Sequence, residues 1–488
     1  MNEIAFILFV TLLVLAISQT VYVAAFRMGP GGSRLPPLPD DACPPAAVVL
    51  SLRGHDPYLA DCLWGVAKQD YPEFEMHVIV DSPSDPAWES LNKLKRGVNN
   101  LQVHTLRTPR ASCSLKCSAL LQVVGELHPR TELVTILDAD SIPQPSWLRE
   151  LASASKPEKV GAVSGIRWYA PRDVCYGSWV RYVWNSAAIV QLYWYKIAWG
   201  GSLAIKRRVF HDTDLLQRWG TAFCEDTMLW NVLRQQGWRL VMVPQLFVTN
   251  RESCEYGQVY NWLCRQLLTV RLYHPRWWLI VGHALATTPS NLAALTLSAW
   301  SMITQQWSAA GWSLSGFALF QATNLALLRW IDSMPQKPNH CVPENTPESD
   351  TSTNNSRIDV QEKILRSDVQ PTNDGAGLQA INTGTIIRDI SESTDDSARQ
   401  RGADGEVDRP YPNRDEFADA TCKPPAIRFI SAVLLTQITH LIAVLRTVFL
   451  RRCRWRGIDY EIHGPWRIRM VRYQPFAEKS DNHQQNSL

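Results

Sequence analysis

The run Glu132-Leu-Val-Thr-Ile-Leu-Asp138-Ala-Asp140 closes an apolar segment with two carboxylates one residue apart. A strand puts alternate residues on one side, so Asp138 and Asp140 meet where the core ends and solvent begins. That geometry suits Mg²⁺ or Mn²⁺, hard ions held by one or two carboxylates plus the phosphates of a substrate, and a nucleotide diphosphate is the implied ligand. The same tripeptide also serves as a polar turn capping a strand or the next helix. A second acidic pair, Glu225 and Asp226, precedes the helical pattern Met228-Leu-Trp-Asn-Val-Leu-Arg, with Gly237 as its stop. Acids at a helix start complement the dipole. Alternatively, Asp226 is a general base that takes the proton of an acceptor hydroxyl during attack, a contribution of about 10²- to 10⁴-fold. Between the pairs, Gly200 and Gly201 in Trp199-Gly-Gly-Ser202 admit either a close backbone approach or a hairpin turn. Lys116, just inside a helix start, is either a phosphate contact or a solvated lysine.

Elements of alternating type must position these groups. Ala46–Leu52 and Phe74–Val80 read as buried strands, Pro57–Lys68 and Ser114–Leu127 as helices, and the Asp138 segment as a later strand. Strands alternating with helices predict an α/β fold, a mostly parallel sheet with helices on both faces, whose ligands sit at the carboxyl ends of the strands. Arg53, Asp56 and Asp81 fall at two such ends.

The chain of 488 residues has room for more than one structural unit, and its net charge of +3 gives no sign of nucleic-acid binding. Eleven Cys without a Cys-x-x-Cys pair read as free thiols in a reducing compartment. Residues 4–26 are almost uninterruptedly apolar, long enough to cross a hydrocarbon core of about 30 Å, and residues 1–27 are read as a transmembrane anchor. Arg27 and Arg34 after it place the following domain in the cytoplasm by the positive-inside rule. Further apolar stretches fall within 277–332 and at 427–450, separated by a polar, aromatic-poor segment, 335–423, that reads as disordered. The last stretch reads as a C-terminal membrane helix before a basic tail, 451–488, that the charge rule assigns to the cytoplasm. Four spans would put that tail outside, so one stretch must lie in the interface; His283, Thr287, Thr288 and Asn291 point to Trp277–Leu297.

The order Asp-x-Asp, Gly-x-Ser and Glu-Asp, framed by apolar helices, resembles the processive and lipid-modifying family 2 glycosyltransferases, and within them the ceramide glucosyltransferases. Arg53-Gly-His-Asp56-Pro, Gln69-Asp-Tyr-Pro, Asp85-Pro-Ala87, Ser114-Leu-Lys116, Gly237-Trp-Arg239 and Trp455-Arg-Gly-x-x-Tyr460 are similar to that group. The resemblance covers residues 44–275, the anchor and the tail. It implies a GT-A fold and an inverting transfer from a UDP-sugar; a catalytic unit between an anchor and interfacial Trp residues, including Trp277 and Trp278, favours a membrane lipid as acceptor. The resemblance also implies roles: Asp56 and Asp81 near uracil and ribose, Lys116 near the diphosphate, Asp138 on ribose or sugar and beside the metal, Asp140 on the metal, Asp226 as base with Glu225 beside it. Gly201 and Ser202 would belong to the donor site, together with Arg53. The chain departs from the Gln-x-x-Arg-Trp pattern: an ungapped reading gives Trp262-Leu-Cys-Arg265-Gln266, with Arg265 kept to neutralise the leaving UDP and Gln266 where Trp is expected. Two rivals remain at this point. One is a polysaccharide synthase that threads its product through the helices. The other is a non-catalytic, nucleotide-binding membrane adaptor.

Overall fold

The computed structural model describes residues 1–29, 36–334 apart from 55, 96, 99 and 171–174, and 426–476, with backbone only at 426 and 427. The polar segment 335–423 and the end of the basic tail lie outside the described residues.

Strands β1 (Ala46–Leu52), β2 (Phe74–Val80), β3 (Leu101–Thr105), β4 (Leu133–Leu137), β5 (Val160–Tyr169), β6 (Ser202–Lys206) and β7 (Arg239–Asn250) form one sheet in the order β3-β2-β1-β4-β6-β5-β7. All run parallel except β6, which is antiparallel to β4 and β5. Helices α1 (Asn2–Met28), α2 (Leu59–Ala67), α3 (Pro86–Lys95), α4 (Leu115–Glu126), α5 (Trp147–Ser155) and α6 (Tyr176–Tyr195) precede the short α7 (Arg207–Asp212), α8 (Leu215–Trp219) and α9 (Leu229–Gln235). α10 (Tyr256–Tyr273), α11 (Trp277–Ile303), α12 (Trp307–Asp332) and α13 (Ala426–Phe449) follow. A small antiparallel sheet of β8 (Arg452–Trp455), β9 (Ile458–Gly464) and β10 (Arg467–Val471) closes the described chain.

The two faces of the sheet follow from the period of two along β1. Val48, Leu50 and Leu52 pack with Leu59 and Leu63 of α2 and Leu148 of α5, while Ala47 and Val49 pack with Leu120 and Val123 of α4. Because both faces are covered, the central strands β1 and β4 are buried almost throughout rather than alternating. The chain leaves β1 toward β2 and β3 on one side and returns as β4 on the other. That reversal opens a crevice outside the carboxyl ends of β1 and β4.

α1, α11 and α12 pack side by side: Phe6 and Phe9 meet Trp312, and Leu12, Ala16, Ala294 and Phe320 form a buried cluster. Within Trp277–Leu297, Asn291 accepts from Gln321 of α12 at 3.0 Å and Thr288 donates to the Gln437 carbonyl of α13 at 3.2 Å, while His283 Nδ1 is buried without a hydrogen-bond partner among the described residues. α13 lies along α6 and α10. Ser431 near its start meets Tyr176 at 3.2 Å, Thr439 meets Tyr256 at 2.8 Å, and Arg271 donates to the Val448 and Leu450 carbonyls at its end, both at 2.7 Å. By length and composition, α1 and Arg428–Phe449 are apolar enough to cross a membrane.

Candidate active site

β4 delivers Asp138 and Asp140 to the crevice as the sequence order predicts. α4 delivers Lys116: the Ser114 hydroxyl caps the helix by accepting from the Cys117 amide at 3.2 Å, which sets Lys116 in the first turn. The Lys116 ammonium donates at 2.7 Å to Asp138 Oδ1 and lies 2.7 Å from Glu225 Oε1, so one cation joins the two acidic pairs. Burial opposes its charge, but the two carboxylates outweigh burial and its pKa is raised. Burial raises the Asp138 carboxyl, yet Lys116 more than reverses this and its pKa is lowered.

Asp226 sits where the chain enters α9. Its Oδ2 accepts from the Gly200 amide at 2.8 Å, and its Oδ1 accepts from the Thr227 amide at 2.6 Å and hydroxyl at 2.9 Å. Three donors thus fix the carboxylate in direction. Burial, and after it the charges of Asp226 and Asp138, push Glu225 up to about 7 against the pull of Lys116. The glycines serve close approach rather than a hairpin, because β5 and β6 are joined through α6. A Cβ at Gly200 would run into the Glu225 carboxylate, and one at Gly201 would lie 2.6 Å from Asp138 Oδ2.

Asp140 accepts from Asn250 at 2.8 Å and from the Ser141 hydroxyl at 3.2 Å. Burial, then the charges of Asp138, Asp56 and Glu252, push it up to about 7. A pocket this rich in carboxylate fits a divalent cation, which would relieve the crowding. Among the described residues no three His, Cys, Asp or Glu side chains converge as a cage. Asp140 and Asp138 are the carboxylates that would hold such an ion, with phosphate oxygens of a substrate filling its remaining positions.

Arg265 and Gln266, on α10, both line the crevice, as do Arg53 and Asp56. Burial lowers the Arg265 pKa, and its guanidinium stacks 4.9 Å over Trp455. The indole absent after Arg265 in sequence is thus matched in space by one from the tail. Three expected donor-site residues do not line the crevice: Asp81, Gly201 and Ser202. Gly201 is buried, with the Trp199 ring and Asp138 against the place a Cβ would take. Asp81 is buried, pairs with Arg53, and accepts from the Tyr473 hydroxyl at 2.7 Å and the Phe476 amide at 2.9 Å. Ser202 is 0% exposed, and its hydroxyl accepts from the Trp147 indole at 2.8 Å, so it braces the sheet from within.

Several lining residues escaped the sequence reading. Arg167, within 5.5 Å of the rings of Tyr169, Trp199 and Trp262, lies two residues before the end of β5. Alternation of Arg167 and Tyr169 at a strand end was the available signal. Glu252, just past β7, also lines the crevice, and the tail motif Trp455-Arg-Gly-x-x-Tyr460, noted in sequence but given no role in the site, contributes Trp455, Arg456, Ile458 and Tyr460.

The mostly parallel sheet is of GT-A type, with paired acids and a lysine at its carboxyl edge. The family described as glycosyl transferase family 21 matches residues 7–341, and the chain belongs to it. Among solved structures, the mannosyltransferase PcManGT from Pyrobaculum calidifontis, in complex with GDP-Man and Mn²⁺, is 18% identical, with a TM-score of 0.43 over 67% of this chain and 98% of that one. Glucosyl-3-phosphoglycerate synthase from Mycobacterium tuberculosis is 13% identical, with a TM-score of 0.31 over 46% of this chain and 77% of that one.

Proposed function

We propose that the protein is a membrane-bound, inverting glycosyltransferase that moves a hexose, glucose in our reading, from a UDP-sugar to a hydroxyl of a membrane lipid of ceramide or diacylglycerol type. The observation that carries the reading is the convergence of Asp138, Asp140, Lys116 and Asp226 on one crevice in a unit joined to long apolar helices.

Asp226, held by three donors, takes the acceptor proton as the hydroxyl oxygen attacks the anomeric carbon from the face opposite the leaving diphosphate. One bond forms and one breaks, so the sugar configuration inverts. Lys116 and Arg265 supply positive charge to the diphosphate as it departs. Asp140, with Asp138, would hold Mg²⁺ or Mn²⁺, which adds Lewis-acid stabilisation of the leaving group. Arg53 and Asp56 orient the nucleoside.

The tail and the catalytic unit share one crevice, which bears on the membrane arrangement. α1 anchors the chain, the catalytic unit and tail both face the cytoplasm, and α13, which packs along α6 and α10 of that unit, lies in the interface. Its exposed apolar residues Ile430, Ile438, Ile442, Leu445 and Phe449 form one stripe at helical spacing, opposite the face packed on α6 and α10.

The test is UDP release by the purified protein in detergent with UDP-glucose and Mn²⁺, with ceramide or diacylglycerol supplied or withheld. Lipid-dependent release that disappears in Asp140→Ala is the expected result. Polymeric product would favour a synthase, and no release with any UDP-sugar despite UDP binding would favour the adaptor.

A further inference from the structure

The matched family region ends at residue 341, yet part of the crevice wall comes from more than a hundred residues later. β8 and β9 are joined by a two-residue loop, Arg456-Gly457, between the paired residues Trp455 and Ile458. Both loop residues have positive φ, 49° and 74°. Such primed turns match the twist of a hairpin and favour Asn or Gly at the first position, where a long cationic side chain is strained. The strain is maintained by contacts. Arg456 donates to the Arg53 carbonyl at 3.2 Å while Arg53 donates to the Arg456 carbonyl at 2.9 Å. Tyr460 accepts from the Leu115 amide at 3.2 Å, one residue before Lys116. Phe223 packs between Trp455 and Tyr460. The loop is therefore anchored at the ends of β1 and α4 and at the entry to the Glu225-Asp226 segment.

The Arg456 guanidinium lies 3.6 Å from Asp56 Oδ2, inside the crevice and facing the acids around Asp140. A cation held there at the cost of backbone strain has one anionic ligand class to serve in a donor site: the diphosphate of the nucleotide. We propose that Arg456 is a donor-positioning residue, a tail-borne cation that binds the diphosphate and makes the site select nucleoside diphosphates over monophosphates. The assignment rests on the nucleotide-sugar reading above. In the unliganded protein Asp56 holds the guanidinium in reserve. On binding, phosphate oxygens take it over, and Asp56 is released to the nucleoside.

The experiment is calorimetric binding of UDP and of UMP, each with Mn²⁺, to the full chain in detergent, for the wild type, Arg456→Gln and Arg456→Lys. Loss of a charge-assisted contact to phosphate predicts about tenfold weaker UDP binding in Arg456→Gln, with UMP binding held within about twofold and Arg456→Lys between the two. Retained UMP binding shows that the crevice is folded. Equal weakening of both nucleotides, or no change in either, overturns the assignment and leaves the hairpin a structural wall. Failure of the wild type to bind UDP would overturn the donor reading itself, a distinct result.

Discussion

Asp226 and Glu225 are neighbours with opposite surroundings, and the difference decides their work. Both line the crevice, but Glu225 is 2% exposed and spends its carboxylate on Lys116, whereas Asp226 is oriented by the amides of Gly200 and Thr227. Asp226→Asn keeps the shape and the glycine contact but cannot take a proton. We expect UDP binding to survive and turnover to fall by at least about 10²-fold, measured as UDP release under saturating donor. Turnover near wild type would remove Asp226 from the role of base. Both acidic pairs and Lys116 were legible from residue type and strand position. The partner of Lys116 was not, because Asp138 and Glu225 are brought within its reach only when β4 and the α9 entry close on the same crevice.

At the scale of elements, β1 and β2 coincide residue for residue with the strands read from the sequence, since short, mainly apolar seven-residue runs rich in β-branched residues and bounded by turn signals favour buried strands. α10 shows what pattern leaves out. Its capping box joins Glu255 and Gln258, and its far end is capped at His274, whose amide bonds the Val270 carbonyl at 2.9 Å. Burial, and secondarily Arg276, depress the His274 pKa from 6.5 to about 4. Below pH 6.5 the unfolded chain binds a proton there that the folded chain refuses until about pH 4, so stability falls as pH drops through that window. The loss has an upper limit of about 3 kcal/mol. His274→Gln removes the titrating group. Thermal unfolding in detergent between those pH values should therefore fall more steeply for the wild type than for the variant, and parallel curves would mean that the histidine is not held neutral.

For the whole molecule, the decisive relation is that residues 451–476 sit on the catalytic unit: Met470 bonds Ala111 at 2.7 Å, and the Ser82 hydroxyl donates to the Phe476 carbonyl at 2.9 Å. Because α13 packs along α6 and α10 and runs into this tail, both of its ends belong on the catalytic side in the arrangement proposed above. Single cysteines at Ser431 and Arg451, introduced in a background lacking the native thiols, should both react with a membrane-impermeant maleimide from the side that also labels the catalytic unit. Labelling of the two from opposite sides would make α13 a span.

Local order along the chain determined the α/β class, the acids at strand ends and the apolar helices, because each is written in the period of a few neighbouring residues. Tertiary structure alone decided that Asp81, Gly201 and Ser202 lie outside the crevice lining, that Trp455 stacks on Arg265, and that Arg456 sits beside Asp56. Those relations join residues tens to hundreds of positions apart. No periodicity records them, since they arise when a sheet edge, a buried helix and a returning tail compete for the same few cubic nanometres of space.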